Sequence, residues 1–289
     1  MKQLLIALAL LFASTTHLIA ASNDSIAYHH HETDTAVISK IITATRNAQL
    51  SSPAQSLAFV ASKLVNSPYV AATLEGDTEL LRINMSQFDC TTLVETAIAL
   101  ALTANVDTAS IDDFAHNLRN IRYRGGVIDG YASRLHYVSD WIADNASRGY
   151  LTEVTSQIPC ATRNVIDINY ISSHRRSYPA LLNNDSLLAS IKEVEKKYIK
   201  YRHYYIPSHF LNREDVLGSL QNGDIILFTS SSRGLDVAHM GIVVIDRGRA
   251  CLIHASSKAH AVILDRKPLY NYLQGNNAMT GIRVVRLSQ

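Results

Sequence analysis

The chain is short of several things. Among its 289 residues only 3 are cysteine, 6 proline and 12 glycine, and 27 Lys+Arg against 25 Asp+Glu leave a formal net charge of just +2. Each shortage excludes a class. So few cysteines cannot staple a disulfide-dense miniprotein, and so few glycines cannot build a collagen-like repeat. The charge balance offers no electrostatic footprint for nucleic acid, so no nucleic-acid partner is expected. Disorder needs little apolar content and a large net charge, whereas 47% of this chain is hydrophobic. No C-x-x-C pair occurs, which removes support for a zinc knuckle or a thioredoxin motif.

Long apolar runs are also scarce. One runs from Leu4 to Ala13, preceded by Lys2 and followed by small residues near Ala20 and Ala21. A bilayer span needs about 20 apolar residues, so this block is too short to cross one. Charge, apolar block and small residues together read as a cleavable secretory signal over residues 1–20. No lipoprotein-type cysteine follows. The expectation is a periplasmic or secreted protein without a stable membrane anchor. In an oxidising compartment an odd cysteine count leaves at least one thiol unpaired: either Cys160 and Cys251 pair and Cys90 is free, or all three are free.

Residues 21–44 are polar, open with Ser22-Asn23-Asp24-Ser25 and include His29-His30-His31-Glu32, which reads as a flexible leader with a solvated histidine tail. Residues 45–289 are expected to form a single α+β domain, helical over about 45–205 and β over about 206–289. Ser51-Ser52-Pro53 starts a helix over Gln55 to Leu64. Leu93, Val94, Ala97, Ile98, Ala101 and Leu102 make a second apolar stripe, and Ile111, Phe114, Leu118 and Ile121 a third. Gly125-Gly126 is a turn, His136 to Ala146 a further short helix, and the charged, Tyr-rich stretch Ile191 to Tyr205 a solvated helix. After Pro207 closely spaced strands follow: Ile225 to Phe228, His239 to Ile245, Ala250 to His254 and Gly281 to Leu287, in an antiparallel sheet.

The chemistry starts at Cys90. Ser86 or Asp89 can cap a helix that begins there, and the unpaired N–H groups and positive dipole end of a helix start favour a thiolate. A turn at Asp246-Arg247-Gly248-Arg249 pairs Ile245 with Ala250 and sets Gly241 opposite His254. His239 and His254 then share one face as diagonal neighbours about 7–8 Å apart at Cα, within imidazole reach. The Cys90 helix would have to pack across that face. In such a set one imidazole exchanges the thiol proton and a second polar group fixes its tautomer, which makes His239 the base and His254 the orienting residue. The backbone N–H of Cys90 is the candidate oxyanion donor. Ser133, Arg134, Tyr137 and Asp140 form a second polar cluster, in which the planar fork of Arg134 suits a substrate carboxylate. Asp236 is either a loop residue or an orienting group for an imidazole.

Phe88-Asp89-Cys90-Thr91-Thr92-Leu93-Val94-Glu95, Ser133-Arg134-Leu135-His136-Tyr137 with Asp140-Trp141, Gly234 to Ile242 and Ile253-His254-Ala255-Ser256-Ser257 resemble, as an ordered set, the DUF1460 family of NlpC/P60-like, papain-type cell-wall cysteine hydrolases. The resemblance runs from about residue 50 to the end. It implies a papain-like α+β fold, with the cysteine helix packed on an antiparallel sheet. It also implies a catalytic set of Cys90, His239 and His254 that needs no cofactor, and N-acetylmuramoyl-L-alanine amidase-like action on peptidoglycan fragments or muropeptides. The Tyr-Gly-Gly type segment usual upstream of the cysteine is absent, with Leu81 to Met85 in its place, so distant relatives' substrate contacts do not carry over. Alternatives are cleavage of a D-Glu–diamino-acid amide, another acyl substrate, a catalytically silent wall-binding protein, or zinc hydrolysis with Cys90, His239 and His254 as ligands, for which no carboxylate base is evident.

Overall fold

The computed structural model describes residues 26–274 and 276–288. The segment read as a signal peptide lies outside them. Strand β1 (Ile26–Tyr28) pairs in parallel with β2 (Leu81–Ile83), and between them run helices α1 (His31–Asn47) and α2 (Pro53–Lys63). Then come α3 (Cys90–Ala104), α4 (Ile111–Arg122), α5 (Val138–Ser147), β3 (Leu151–Glu153), β4 (Thr162–Ile166), α6 (Tyr170–Ser173), α7 (Asp185–Lys196) and β5 (Tyr201–Pro207). The chain ends with α8 (Glu214–Gly218), β6 (Ile225–Ser230), β7 (Val237–Asp246), β8 (Arg249–Ser256), β9 (Ala261–Asp265), α9 (Leu269–Leu273) and β10 (Met279–Leu287). The main sheet has the order β4-β5-β10-β6-β7-β8-β9, with β3 also on β10, and every pairing in it is antiparallel. Among the described residues no helix is long and apolar enough to cross a membrane.

The expected helices of the first half are present. Ser52 caps α2 with Pro53 in its first turn, and α4 covers the Ile111–Ile121 stripe behind a Ser110/Asp113 capping box. Helix α3 is the hub. Leu93, Val94, Ala97, Ile98 and Ala101 are fully buried, and their small or branched side chains let α1, α2, α4, β7 and β8 pack around one short helix. Inside this packing the Glu95 carboxylate accepts from Arg122 Nε at 2.6 Å, and Arg122 Nη1 donates to the Arg82 carbonyl at 2.7 Å. A charge pair this buried survives only because it is matched and hydrogen-bonded.

Three expectations need correction. The leader is not loose from Ile26 onward: α1 buries Ile38, Ile41 and Ile42, and buried Asp34 accepts from the N–H groups of His30 and Met85, both at 2.9 Å. The polar composition of 21–44 hid an i, i+3, i+4 apolar stripe. The sheet is not confined to residues after 206, since β3, β4 and β5 join it. The helix expected over Ile191 to Tyr205 stops at Lys196. Lys200 takes a left-handed φ of 52°, and Tyr201 and His203 then stack on one face of β5 with ring centroids 5.7 Å apart. Period two beats the charge pattern there. All three cysteines are free thiols, which resolves the alternatives left open for Cys160 and Cys251.

Both faces of the sheet are covered. Ile225 and Leu227 of β6, with Met240, Ile242, Ile253 and Ala255, face the α3 core. Ile226 and Phe228, with Val243 and Leu252, face a second core closed by Leu211, Val216, Leu220, Leu269 and Leu273. Burial on both sides is why β6 reads as an unbroken apolar run.

Candidate active site

The β7–β8 hairpin has the register expected from the sequence: Ile245 pairs with Ala250 and Ile242 with Ile253. Its tip uses Arg247 at φ 51° and Gly248 at φ 76°, the two positive φ values of a twist-matched two-residue turn. Gly241 follows from the same register. A Cβ there would meet the Ile253 carbonyl at 2.8 Å and the His254 Cβ at 2.9 Å, so only glycine allows β8 to approach this closely. At the other end of β7 a bulge inserts one residue opposite β6, between the Phe228–His239 and Thr229–Val237 pairs. Such bulges re-aim the adjacent side chain, here His239.

The two imidazoles meet. His239 Nε2 and His254 Nδ1 lie 2.8 Å apart, with the rings edge-on at 83°. Phe228 and Tyr272 complete a four-ring cluster: Tyr272 lies 5.2 Å from His254 and 6.2 Å from His239, and Phe228 lies 5.7 Å from His239. One expectation about faces is overturned. By strand alternation His239 and His254 lie on the side of Phe228 and Leu252, whereas α3 packs on the opposite side, against Met240, Ile242, Ile253 and Ala255. Only the first residue of α3 reaches the histidines. Cys90, His239 and His254 line one cleft of about 880 Å³, and Cys90 is the sole α3 residue in it.

Asp89 caps α3 through a reciprocal box with Thr92: its carboxylate accepts from Thr92 N–H at 2.8 Å, and its own N–H donates to Thr92 Oγ1 at 2.9 Å. Cys90 is therefore the first helical residue. Burial pushes the Cys90 thiol up to about 11, aided by the charge of Asp89, while the backbone N–H groups of Met240 and Cys90 and the Thr91 side chain work against that rise. Burial likewise presses His239 down to about 3, with His254 adding to it, and His254 down to about 4. Thiol and imidazoles are thus neutral at rest. Among the described residues the sulfur shares no hydrogen bond with either ring; such contacts are often long before substrate binds and tighten in the complex.

Neutral imidazoles fix the bookkeeping of protons. If His239 keeps Nδ1 free to accept a proton, its Nε2 carries the hydrogen and donates to His254 Nδ1. His254 then carries its own hydrogen on Nε2, and that atom is buried without a partner. An orphan of this kind costs about 1–3 kcal/mol.

The four residues expected to bind substrate are elsewhere and occupied, and none lines the cleft. Ser133 Oγ donates to the Gly130 carbonyl at 2.7 Å and accepts from Asp129 N–H at 2.9 Å. Arg134, 6% exposed, is held by Glu75 at 3.0 Å and Glu79 at 3.3 Å and stacks on Tyr131. Tyr137 donates to Glu195 at 2.7 Å, and Asp140 receives both Arg124 and Tyr198. These are internal braces, a role that short polar motifs serve as readily as binding. Asp236 does not orient an imidazole either: it accepts from Ser139 N–H at 2.6 Å and Val237 N–H at 2.9 Å, tying α5 to the start of β7.

The structure adds Tyr69, Tyr272, Asp265 and the Met240 N–H to the surroundings of the site. Tyr69 enters the cleft because Phe88, two residues before the cysteine, is bonded on both sides of it: Phe88 N–H donates to Pro68 O at 3.0 Å, and Val70 N–H donates to Phe88 O at 3.1 Å. Pro68-Tyr69 after the end of α2 was the available signal. Among the described residues no three His, Cys, Asp or Glu side chains converge to hold a metal ion.

The chain matches a family model described as N-acetylmuramoyl-L-alanine amidase-like over residues 59–282. It is similar to the crystal structure of an N-acetylmuramoyl-L-alanine amidase from Bacteroides uniformis ATCC 8492, at 40% identity and a TM-score of 0.77, covering 82% of this chain and 99% of that one. A Bacteroides fragilis structure that carries a xylanase name aligns at 41% identity and a TM-score of 0.74, over 79% and 99% of the two chains. Protein LPG0564 of Legionella pneumophila str. Philadelphia 1, a DUF1460 protein, shares the fold at 20% identity and a TM-score of 0.66, over 88% and 97%. No curated protein matches the chain.

Proposed function

The chain belongs to the N-acetylmuramoyl-L-alanine amidase-like family, and from that premise we propose that it cleaves the N-acetylmuramoyl–L-Ala amide of peptidoglycan fragments with Cys90 as nucleophile. The observation that carries the cysteine mechanism is the 2.8 Å His239–His254 hydrogen bond in the cleft that holds Cys90 at a helix start.

The steps follow from the neutral resting state. As the amide carbonyl enters, the Cys90 thiol passes its proton to His239 Nδ1 and its sulfur attacks the carbonyl carbon. His239 becomes an imidazolium, which His254 stabilises by accepting from its Nε2–H. The N–H groups of Cys90 and Met240, which favour the charged sulfur, are the proposed oxyanion donors. His239 returns the proton to the leaving nitrogen, and a thioester remains. Water, deprotonated by His239, hydrolyses it and restores the thiol. The helix-start cysteine and strand-borne histidines support a papain-type, NlpC/P60-like lineage.

The xylanase name on one relative invites a glycosidase reading. That chemistry uses two carboxylates flanking the scissile bond, and among the described residues Asp265 is the one acid lining this cleft, which favours the amide. Export through residues 1–20 is part of the proposal, since it delivers the enzyme to the compartment that holds peptidoglycan; the N-terminal residue of the mature protein tests it. Mass spectrometry of muropeptide digests tests the reaction. Free L-Ala-terminated stem peptides should appear with the native chain and not with Cys90→Ala. Fragments cut between D-Glu and the diamino acid would move the assignment to the endopeptidase reading, and equal release by Cys90→Ala would end the nucleophile assignment.

A further inference from the structure

The cysteine–histidine–histidine line stops at a buried ring nitrogen with no partner. His254 is 2% exposed, and its Nε2 has no hydrogen-bond partner. The other faces of this ring are accounted for. His239 on β7 takes Nδ1, Tyr272 on α9 packs edge-on, and Cys90 on α3 shares the cleft. The neighbouring strand supplies what is missing. In the β8–β9 ladder His254 pairs with Ile263 and Leu252 with Asp265. Directly opposed residues point to one side, so Asp265 sits on the His254 face as its diagonal neighbour, about 7–8 Å away at Cα. That span suits a carboxylate and an imidazole, in contact or bridged by a single water.

Asp265 is also uncommitted. One of its oxygens accepts from Lys267 N–H at 2.9 Å, and among the described residues it forms no ion pair and no second hydrogen bond. It lines the same cleft as the histidines. We propose that Asp265 is a positioning residue: its carboxylate accepts from His254 Nε2–H, directly or through one water, and so holds both imidazoles in the tautomers that leave His239 Nδ1 free. The charge on Asp265 also opposes the fall in basicity that burial imposes on His254, and it helps keep the Tyr272 hydroxyl protonated. The cations on the cleft lining, Lys258 and Lys267, are exposed.

This inference rests on the cysteine mechanism proposed above, but its first test needs no substrate. In the full chain labelled with ¹⁵N-histidine, at neutral pH, the His254 ring shifts report its tautomer. The native protein should carry the hydrogen on Nε2. Asp265→Asn should move a measurable fraction to Nδ1, and Asp265→Glu should restore Nε2. Turnover should follow: kcat for Asp265→Asn falls roughly 10-fold, part of the 10²–10⁴ that general acid–base catalysis supplies, with KM nearly constant and partial rescue by Asp265→Glu. A native His254 protonated on Nδ1, or a tautomer unmoved by Asp265→Asn, overturns the proposal. A KM increase with kcat intact would make Asp265 a substrate contact and overturn it as well. Full activity in Cys90→Ala would instead defeat the mechanism while leaving the tautomer result standing.

Discussion

Two polar clusters of this chain use the same residue types in opposite ways. Around Arg134, charges are formed and matched: Glu75 and Glu79 hold the guanidinium, Tyr123 donates to Glu79 at 2.8 Å, and Tyr131 stacks on the cation. Around Cys90, burial keeps thiol and imidazoles neutral, and a buried ring nitrogen of His254 is left without a partner. The first cluster spends its charges on one another and braces the fold, with Arg134 Nε in ion-pair range of Glu79 at 3.3 Å but without a hydrogen bond. The second keeps unspent capacity for hydrogen bonds and protons, which a reacting group would use. A shared cleft and a carboxylate with spare acceptor capacity beside the rings, rather than density of polar residues, separate the site from the scaffold.

Substitutions can break or sharpen that contrast. The largest effect belongs to Cys90→Ala, which should lower amide release by roughly 10⁴-fold or more while leaving the urea midpoint close to native. Arg134→Ala comes next. It strands Glu79, 8% exposed, and should cost about 3–5 kcal/mol in urea denaturation. Any folded fraction should turn over substrate at a near-native kcat. Unchanged stability with abolished activity would put Arg134 back among the substrate contacts and dissolve the contrast. Gly241→Ala forces a Cβ against the Ile253 carbonyl and His254, so a stability loss of about 1–3 kcal/mol should accompany a drop in kcat as the dyad is displaced.

The last effect is one histidine's share of a pH slope. His136, His203, His239 and His254 are pressed, chiefly by burial, to about 3, 4, 3 and 4, against an unfolded value of about 6.5. Below that value the unfolded chain takes up protons that the folded chain refuses. Stability is therefore full above about pH 6.5 and falls as pH drops toward the folded values. Urea midpoints at pH 7 and pH 5 measure the slope. His203→Phe removes one of the four groups far from the cleft, at a ring whose Nδ1 is buried without a partner, and should flatten the slope without touching kcat. A slope that His203→Phe leaves unchanged would place the proton linkage elsewhere.

Local grammar carried much of the fold. Ser52-Pro53, the Ile111–Ile121 apolar stripe, and the Arg247-Gly248 turn act within a few residues, so their helices and hairpin were readable, and the hairpin register brought His239 and His254 to one face. Other parts were not local. Strand β9, which contributes Asp265, was not anticipated, because its short run Ala261–Asp265 becomes a strand by pairing with β8. Likewise β5 looked helical until its aromatic face found a partner strand.

Read alone, the residues determined an α+β chain with a cysteine at a helix start and two histidines on neighbouring strands, because caps, turns and strand periodicity are short-range. Tertiary structure decided that α3 covers the reverse side of the sheet and offers the site only its first residue. It also decided that Arg134 is spent on Glu75 and Glu79, and that Asp265 shares a face with His254. Those outcomes depend on which groups meet across long sequence separations and on what burial does to their charges, and neither quantity exists until the sheet and helices are packed together.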